Sequence, residues 1–365
     1  MAELSLCMIV RDESEVLARC LESAAGVADE TVIVDTGSTD GTMDIARSFG
    51  ARVEPFPWID DFSAARNRSF ELASRPYILW LDADDVLLPA EREKLLGLKP
   101  RLAADAYLLR YDYVHDRFGA CTTSFLRERI VRNTPRLRWC LPAHENIPLG
   151  PEVASEVADV TVTHRPAGNM GRKHEKYLGI LERLARQPGG SCPWVDCLLG
   201  SEYHAGSRYA EAVAAYERFL ERFDERSVDG PCVRRQLAES HYGLALQARD
   251  PEEKRLHRRR ARAEAESAWR LDPRRSEPLL LLGHIAEEEG DLAEAVSWYE
   301  RAIQPLPAVA APVSPVAYGV APAIRLSEVW KQLGDLPRAR HYNEMALAWR
   351  PTDPLLHLAR RALGT

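Results

Sequence analysis

The chain has 365 residues, 45% of them hydrophobic and 28% charged, with a net charge of −7. That length leaves room for two domains, and the acidic balance gives no reason to expect nucleic acid or an anionic membrane surface as a partner. The seven cysteines are odd in number and form no CxxC pair. With no leader ahead of the first predicted strand, this points to a reduced, cytoplasmic protein in which Cys192 and Cys197 are ordinary thiols. No apolar run is long enough to span a bilayer as a helix.

The first half alternates strands and helices. Residues 4–10 read as a strand, and residues 13–25 as an amphipathic helix with Val16, Leu17, Cys20, Leu21 and Ala24 on one face. A strand at 31–34 leads to a helix at 42–49 that Gly50 stops. A strand at 51–56 leads to a helix at 63–73, capped by Ser63 or Asp61. Residues 77–81 form the fourth strand. Repeated βα units of this kind predict a largely parallel sheet covered by helices. Three further strands, at 107–114, 125–131 and 159–163, make the sheet mixed, and the last ends at His164.

After about residue 173 only helical patterns remain, and they repeat. Residues 205–218, 289–301 and 333–342 each carry a glycine or small residue in a turn and an aromatic in the helix that follows. The Pro/Ala stretch 305–322 reads as an insertion between repeats, and the basic run 254–262 as a solvated helix face. The predicted division is an α/β domain over 1–172 and an all-α repeat domain over 173–365.

The chemistry concentrates where strands end. The run Tyr77-Ile78-Leu79-Trp80-Leu81 stops abruptly at Asp82-Ala83-Asp84-Asp85. Open α/β sheets bind ligands at the C-terminal ends of their strands. Three crowded carboxylates repel one another and suit a hard cation, Mg²⁺ or Mn²⁺, that bridges to substrate phosphates. The second strand ends similarly, at Asp35 followed by Thr36-Gly37-Ser38-Thr39-Asp40-Gly41-Thr42. Together they suggest an enzyme that handles a nucleoside diphosphate.

Four segments, in order, carry a resemblance: residues 6–13, 34–42, 58–67 and 81–85. They resemble the family 2 glycosyltransferases, with a GT-A fold (a Rossmann-like mixed sheet) and a DXD motif. With its helical tail the chain resembles the branch that joins this domain to tetratricopeptide repeats, that of the sublancin-type peptide S-glycosyltransferases. The resemblance implies an inverting, metal-dependent hexosyl transfer from a UDP-sugar. It implies a donor slot lined by Val10, Arg11, Glu13, Asp35, Ser38, Asp40, Arg66, Asp82, Ala83 and Asp85. Asp35 would accept from the uracil imide N–H. Asn67 would join Arg66 at the diphosphate or the acids, the alternative for Arg66 being a structural ion pair with Asp82, and Lys173 or Lys176 would bind phosphate. Asp84 would bind Mn²⁺ or Mg²⁺ with His164, whose alternative is a structural hydrogen bond. Residues 129–133 and Ala143-His144-Glu145-Asn146 fit the acceptor-side motif, with Glu145 the candidate base and His144 its orienting partner, a metal ligand or the base itself; the rival reading is that the two stabilise a loop.

The acceptor stays open between Cys, Ser or Thr of a peptide or protein docked on the repeats and a small-molecule, polysaccharide or lipid-linked acceptor. In the second case the repeats would serve homodimerisation or a protein partner. A repeat scaffold with a dead transferase domain would have lost one of the acids, and all are present. A nucleotidyltransferase would carry a glycine-rich basic loop after the first strand, and a dinucleotide-dependent dehydrogenase a GxGxxG there; Arg11-Asp12-Glu13-Ser14 is neither.

Overall fold

A computed structural model describes residues 3–167, 171–187, 193–223, 230–307 and 312–364. The chain divides into two compact units, residues 1–113 with 125–183, and residues 114–124 with 184–365. The sequence division at 172/173 therefore differs from the structural one, which falls at 183/184, inside the helix that follows the last strand.

The first unit opens with β1 (Leu4–Val10), α1 (Leu17–Ser23), β2 (Glu30–Asp35), α2 (Thr42–Ser48), β3 (Arg52–Pro55), α3 (Phe62–Leu72) and β4 (Tyr77–Trp80). There follow β5 (Asp85–Val86), α4 (Pro89–Leu98), β6 (Ala106–His115), β7 (Cys121–Arg132), β8 (Ser155–His164) and α5 (Gly171–Ala185). The sheet order is β3-β2-β1-β4-β7-β6-β8-β5. Strands β1 to β4 are mutually parallel, β7 runs antiparallel to β4, and β5 antiparallel to β8.

The sheet is buried on both faces, which is why its central strands read as unbroken apolar runs. Leu4, Leu6, Met8 and Val10 of β1 join Tyr77 and Leu79 of β4 in one core cluster. Cys7 joins Ile78 and Trp80 in the other, where Phe70 of α3 packs. Helix α1 is shorter than its amphipathic pattern, because residues 12–14 are used otherwise. The Asp12, Glu13 and Ser14 N–H groups donate to Ser38 Oγ, Thr42 Oγ1 and Asp40 Oδ2 at 3.0, 2.8 and 3.1 Å. Asp61, one of the two expected caps, starts α3 by accepting from the Ala64 N–H at 3.0 Å. Strand β5 and helix α4 are absent from the sequence reading.

The second unit is built of helix pairs, as its repeats predicted: α6 (Pro193–Ala205) with α7 (Tyr209–Arg222), α8 (Gly230–Gln247) with α9 (Pro251–Leu271), α10 (Glu277–Glu288) with α11 (Leu292–Ala302), and α12 (Val320–Gln332) with α13 (Leu336–Trp349). A last helix, α14 (Pro354–Ala362), follows. Small residues set how closely these helices approach. A Cβ on Gly200, Gly243 or Gly283 would lie 2.5, 2.5 or 2.3 Å from the ring of Tyr216, Tyr209 or Tyr299. The pair α8–α9 escaped the repeat pattern because α9 carries the basic run. Part of that run is not solvated: Arg258 pairs with Glu288 at 2.9 Å, and Arg262 with Glu289 and Glu294, both at 2.6 Å. Within the stretch 305–322, Val313 exchanges backbone hydrogen bonds with Ser124, and residues 315–318 form a 3-10 turn. Among the described residues, no helix is long and apolar enough to cross a membrane.

Candidate active site

A cavity of about 560 Å³ opens at the C-terminal ends of β1 and β4, wholly within the first unit. It is lined by Val10, Arg11 and Glu13 after β1, by Asp82, Ala83 and Asp84 after β4, and by Arg66 and His164. Of the expected donor residues, Asp35, Ser38, Asp40 and Asp85 do not line it, nor do the acceptor-side His144 and Glu145. Thr36, Trp58, Phe62 and Tyr177 line it without having been singled out, and Lys176, expected only as a phosphate ligand, lines it too.

The acids after β4 are fixed one by one. The Asp82 N–H donates to Asp85 Oδ2 at 2.8 Å, and the Asp85 N–H returns a bond to the Asp82 carbonyl at 3.0 Å. This closes a tight turn that leaves Asp82 and Asp84 on the cavity. Register then brings in the histidine, since Asp85 sits opposite His164 in the β5–β8 pair. His164 Nε2 lies 3.0 Å from Asp84 Oδ2, and its Nδ1 lies 2.9 Å from the Tyr113 carbonyl oxygen. A carbonyl only accepts, so Nδ1 carries a proton and Nε2 faces the carboxylate. Burial opposes the imidazolium, but the Asp84 carboxylate outweighs it and raises the His164 pKa.

Arg66 of α3, 7% exposed, ties the two sides of the site together. Its Nη2 lies 2.6 Å from Asp82 Oδ1 and its Nε 2.8 Å from Glu145 Oε1. Burial disfavours its charge, but Asp82 and Glu145 outweigh that and raise its pKa. Glu145, 5% exposed, thus stands behind the guanidinium rather than on the cavity. His144 has a positive φ of 52° and packs its ring 4.9 Å from that of Tyr177. Asn67 does not face the acids as expected; it brackets the Trp139 backbone, accepting from its N–H at 2.9 Å and donating to its carbonyl at 3.0 Å.

Two expected donor contacts are parts of the frame instead. Asp85 is fully buried and pairs with Arg129 at 2.8 Å, so it cannot reach a sugar without breaking that pair. Asp40 accepts from Ser14 and Thr42, and these bonds hold its pKa low against the cost of burial. With Ser38 it clamps the loop after β1 that carries Arg11 and Glu13. Asp35 is 3% exposed; its Oδ2 accepts from the Gly37 and Ser38 N–H groups at 3.1 and 3.0 Å, while its buried Oδ1 has no hydrogen-bond partner among the described residues. Part of the lining is aromatic: Phe62 lies 4.7 Å from Trp58 and 5.1 Å from Tyr177, and Lys176 Nζ sits 3.7 Å from the Trp58 ring centre. The side chain of Lys173 and all of Cys192 lie outside the described residues.

Residues 5–144 match the glycosyl transferase family 2 model, and residues 276–304 a tetratricopeptide repeat. The chain carries a family 2 glycosyltransferase domain joined to tetratricopeptide repeats. It is 40% identical over 146 residues to a TPR repeat-containing protein of Synechococcus elongatus, covering 40% of this chain and 35% of that one. It is 34% identical over 90 residues to the SPbeta prophage-derived glycosyltransferase SunS of Bacillus subtilis, covering 24% and 21%. Among solved structures, residues 1–349 of S. aureus TarS with UDP-GlcNAc align over 79% of this chain and 92% of that one, at 14% identity and a TM-score of 0.38. The chain spans little more than a third of the length of the first curated relatives it matches.

Proposed function

We propose that this glycosyltransferase moves a hexose from a UDP-sugar to an acceptor nucleophile with inversion, assisted by Mn²⁺ or Mg²⁺. The observation that carries the reading is the convergence of Asp82, Asp84 and His164 on one cavity at the strand ends of a family 2 domain. These residues fit a divalent cation. Asp82, Asp84 and Asp85 bring carboxylate oxygens within 4.8 Å of one another, a set of hard oxygen donors. His164 also presents Nε2 beside Asp84 while Nδ1–H is held by a carbonyl, the arrangement of a ligating imidazole oriented from behind. Asp84 and His164 would hold the ion, with Asp82 beside them, and a bound cation offsets the charge that builds on the departing diphosphate.

The chain's own groups supply the rest. Asp35 Oδ1, one residue from the cavity-lining Thr36, is an acceptor-only group suited to the uracil imide N–H. Val10, Arg11 and Glu13 flank the same slot, and Lys176, which also lines it, would meet the diphosphate. As the acceptor attacks the anomeric carbon and the bond to the diphosphate breaks, Glu145 takes the acceptor's proton, a role that requires the Arg66 guanidinium now covering it to move aside when the acceptor binds. The helix pairs offer an extended surface for a peptide or protein acceptor, with Cys, Ser or Thr as nucleophile.

The test is a panel of nucleotide sugars with Mn²⁺ or Mg²⁺, read by thermal shift and by slow release of UDP. One UDP-sugar should raise the melting temperature and be hydrolysed, and both effects should require metal and Asp84. No stabilisation and no hydrolysis with any donor overturns the reading.

A further inference from the structure

The guanidinium of Arg129 is fully buried between two rings, 3.8 Å from the centre of Trp80 and 4.1 Å from that of Tyr111. Its Nη1 donates to Asp85 Oδ2 at 2.8 Å and to the Trp80 carbonyl at 3.3 Å. The same Asp85 Oδ2 accepts from the Asp82 N–H at 2.8 Å. One side chain thus grips the last carbonyl of β4 and, through a single carboxylate oxygen, the first residue of the acidic turn. Neither Arg129 nor Asp85 lines the cavity. A buried ion pair is a weak source of stability against an apolar pair of the same shape, so its presence directly behind the turn needs another account.

We propose that Arg129 is a positioning residue for the cation site, acting through Asp85 to hold the turn that presents Asp82 and Asp84. The inference rests on the cation reading above and adds a residue that touches neither cation nor sugar. Its charge also offsets one of three carboxylates whose oxygens lie within 4.8 Å of one another, so Asp82 and Asp84 need not move apart. The flat guanidinium fills a slot between two rings; lysine carries the charge but not the plane.

The test measures Mn²⁺ affinity directly, by the electron paramagnetic resonance signal of free Mn²⁺ with the full-length protein and no donor. Partners that orient metal ligands typically carry about 10- to 100-fold in affinity. The double variant Asp85→Ala/Arg129→Leu leaves no unpaired buried charge, which keeps it able to fold where Arg129→Leu alone strands Asp85. Its Mn²⁺ affinity should fall by about that factor while its melting temperature stays near wild type, and Arg129→Lys should fall between the two. Saturating Mn²⁺ should restore donor turnover in the double variant, which a merely structural role would not allow. Wild-type affinity in the folded double variant overturns the inference alone. Absence of Mn²⁺ binding by the wild-type protein overturns the cation reading with it.

Discussion

Arg66 holds two carboxylates at once, and that one contact separates proton chemistry from positioning. In Glu145→Gln the amide oxygen can still accept from Arg66 Nε, so the guanidinium and Asp82 stay in place. Loss of a general base typically slows transfer by about 10²- to 10⁴-fold. Glu145→Gln should therefore keep the wild-type donor dissociation constant and lose transfer by that factor. Full activity would move the base elsewhere, with His144 next. Asp84→Asn should behave differently, since it removes a negative oxygen from the pair with His164. Its donor-dependent thermal shift in Mn²⁺ should vanish while its melting temperature without donor and metal stays near that of the wild type. A normal Mn²⁺ requirement in Asp84→Asn would take the metal away from this residue.

At the scale of elements, glycines separate two packing regimes that sequence alone does not distinguish. A Cβ at Gly283 in α10 would stand 2.3 Å from the Tyr299 ring, whose hydroxyl is tied to Glu287 Oε2 at 2.9 Å. Overpacking of this kind costs about 1–3 kcal/mol, more than the roughly 1 kcal/mol that alanine gains over glycine in a helix. Gly97 in α4 has nothing within 4 Å, so there alanine keeps its gain. Gly283→Ala should lower the denaturation midpoint and Gly97→Ala should raise it; the same sign in both would refute the close-packing account. Legibility follows the same divide. The strands were readable because both faces of the sheet are buried, and Asp82 and Asp84 because a strand end and its acids adjoin in sequence. The two-residue β5 offers no periodicity, and the charge-rich α9 hides its apolar stripe. The Arg129–Asp85 pair spans 44 residues and the aromatic wall joins Trp58 and Phe62 to Tyr177, so neither leaves a local signal.

For the whole molecule, pH should act chiefly through buried histidines of the helical unit. His241 is 3% exposed, with Nδ1 facing His257 Nδ1 at 3.3 Å. Burial, then the charges of His257 and Arg260, lower its pKa from 6.5 to about 4. Burial also lowers those of His204 and His284. A histidine whose pKa is depressed on folding favours the folded state above the unfolded pKa. As pH falls below about 6.5 the unfolded chain takes up a proton that the native chain refuses, so stability falls until the native pKa is passed. For His241 the full effect is about 3 kcal/mol, from roughly 1.4 kcal/mol per unit. The midpoint of helical unfolding, followed by circular dichroism, should therefore drop between pH 6.5 and 4 by more than carboxylate titration below pH 4.5 can explain. His241→Gln removes the titrating group and should flatten that interval, whatever it does to stability at neutral pH. An unchanged slope in the variant would mean that His241 does not set the acid side of the stability curve.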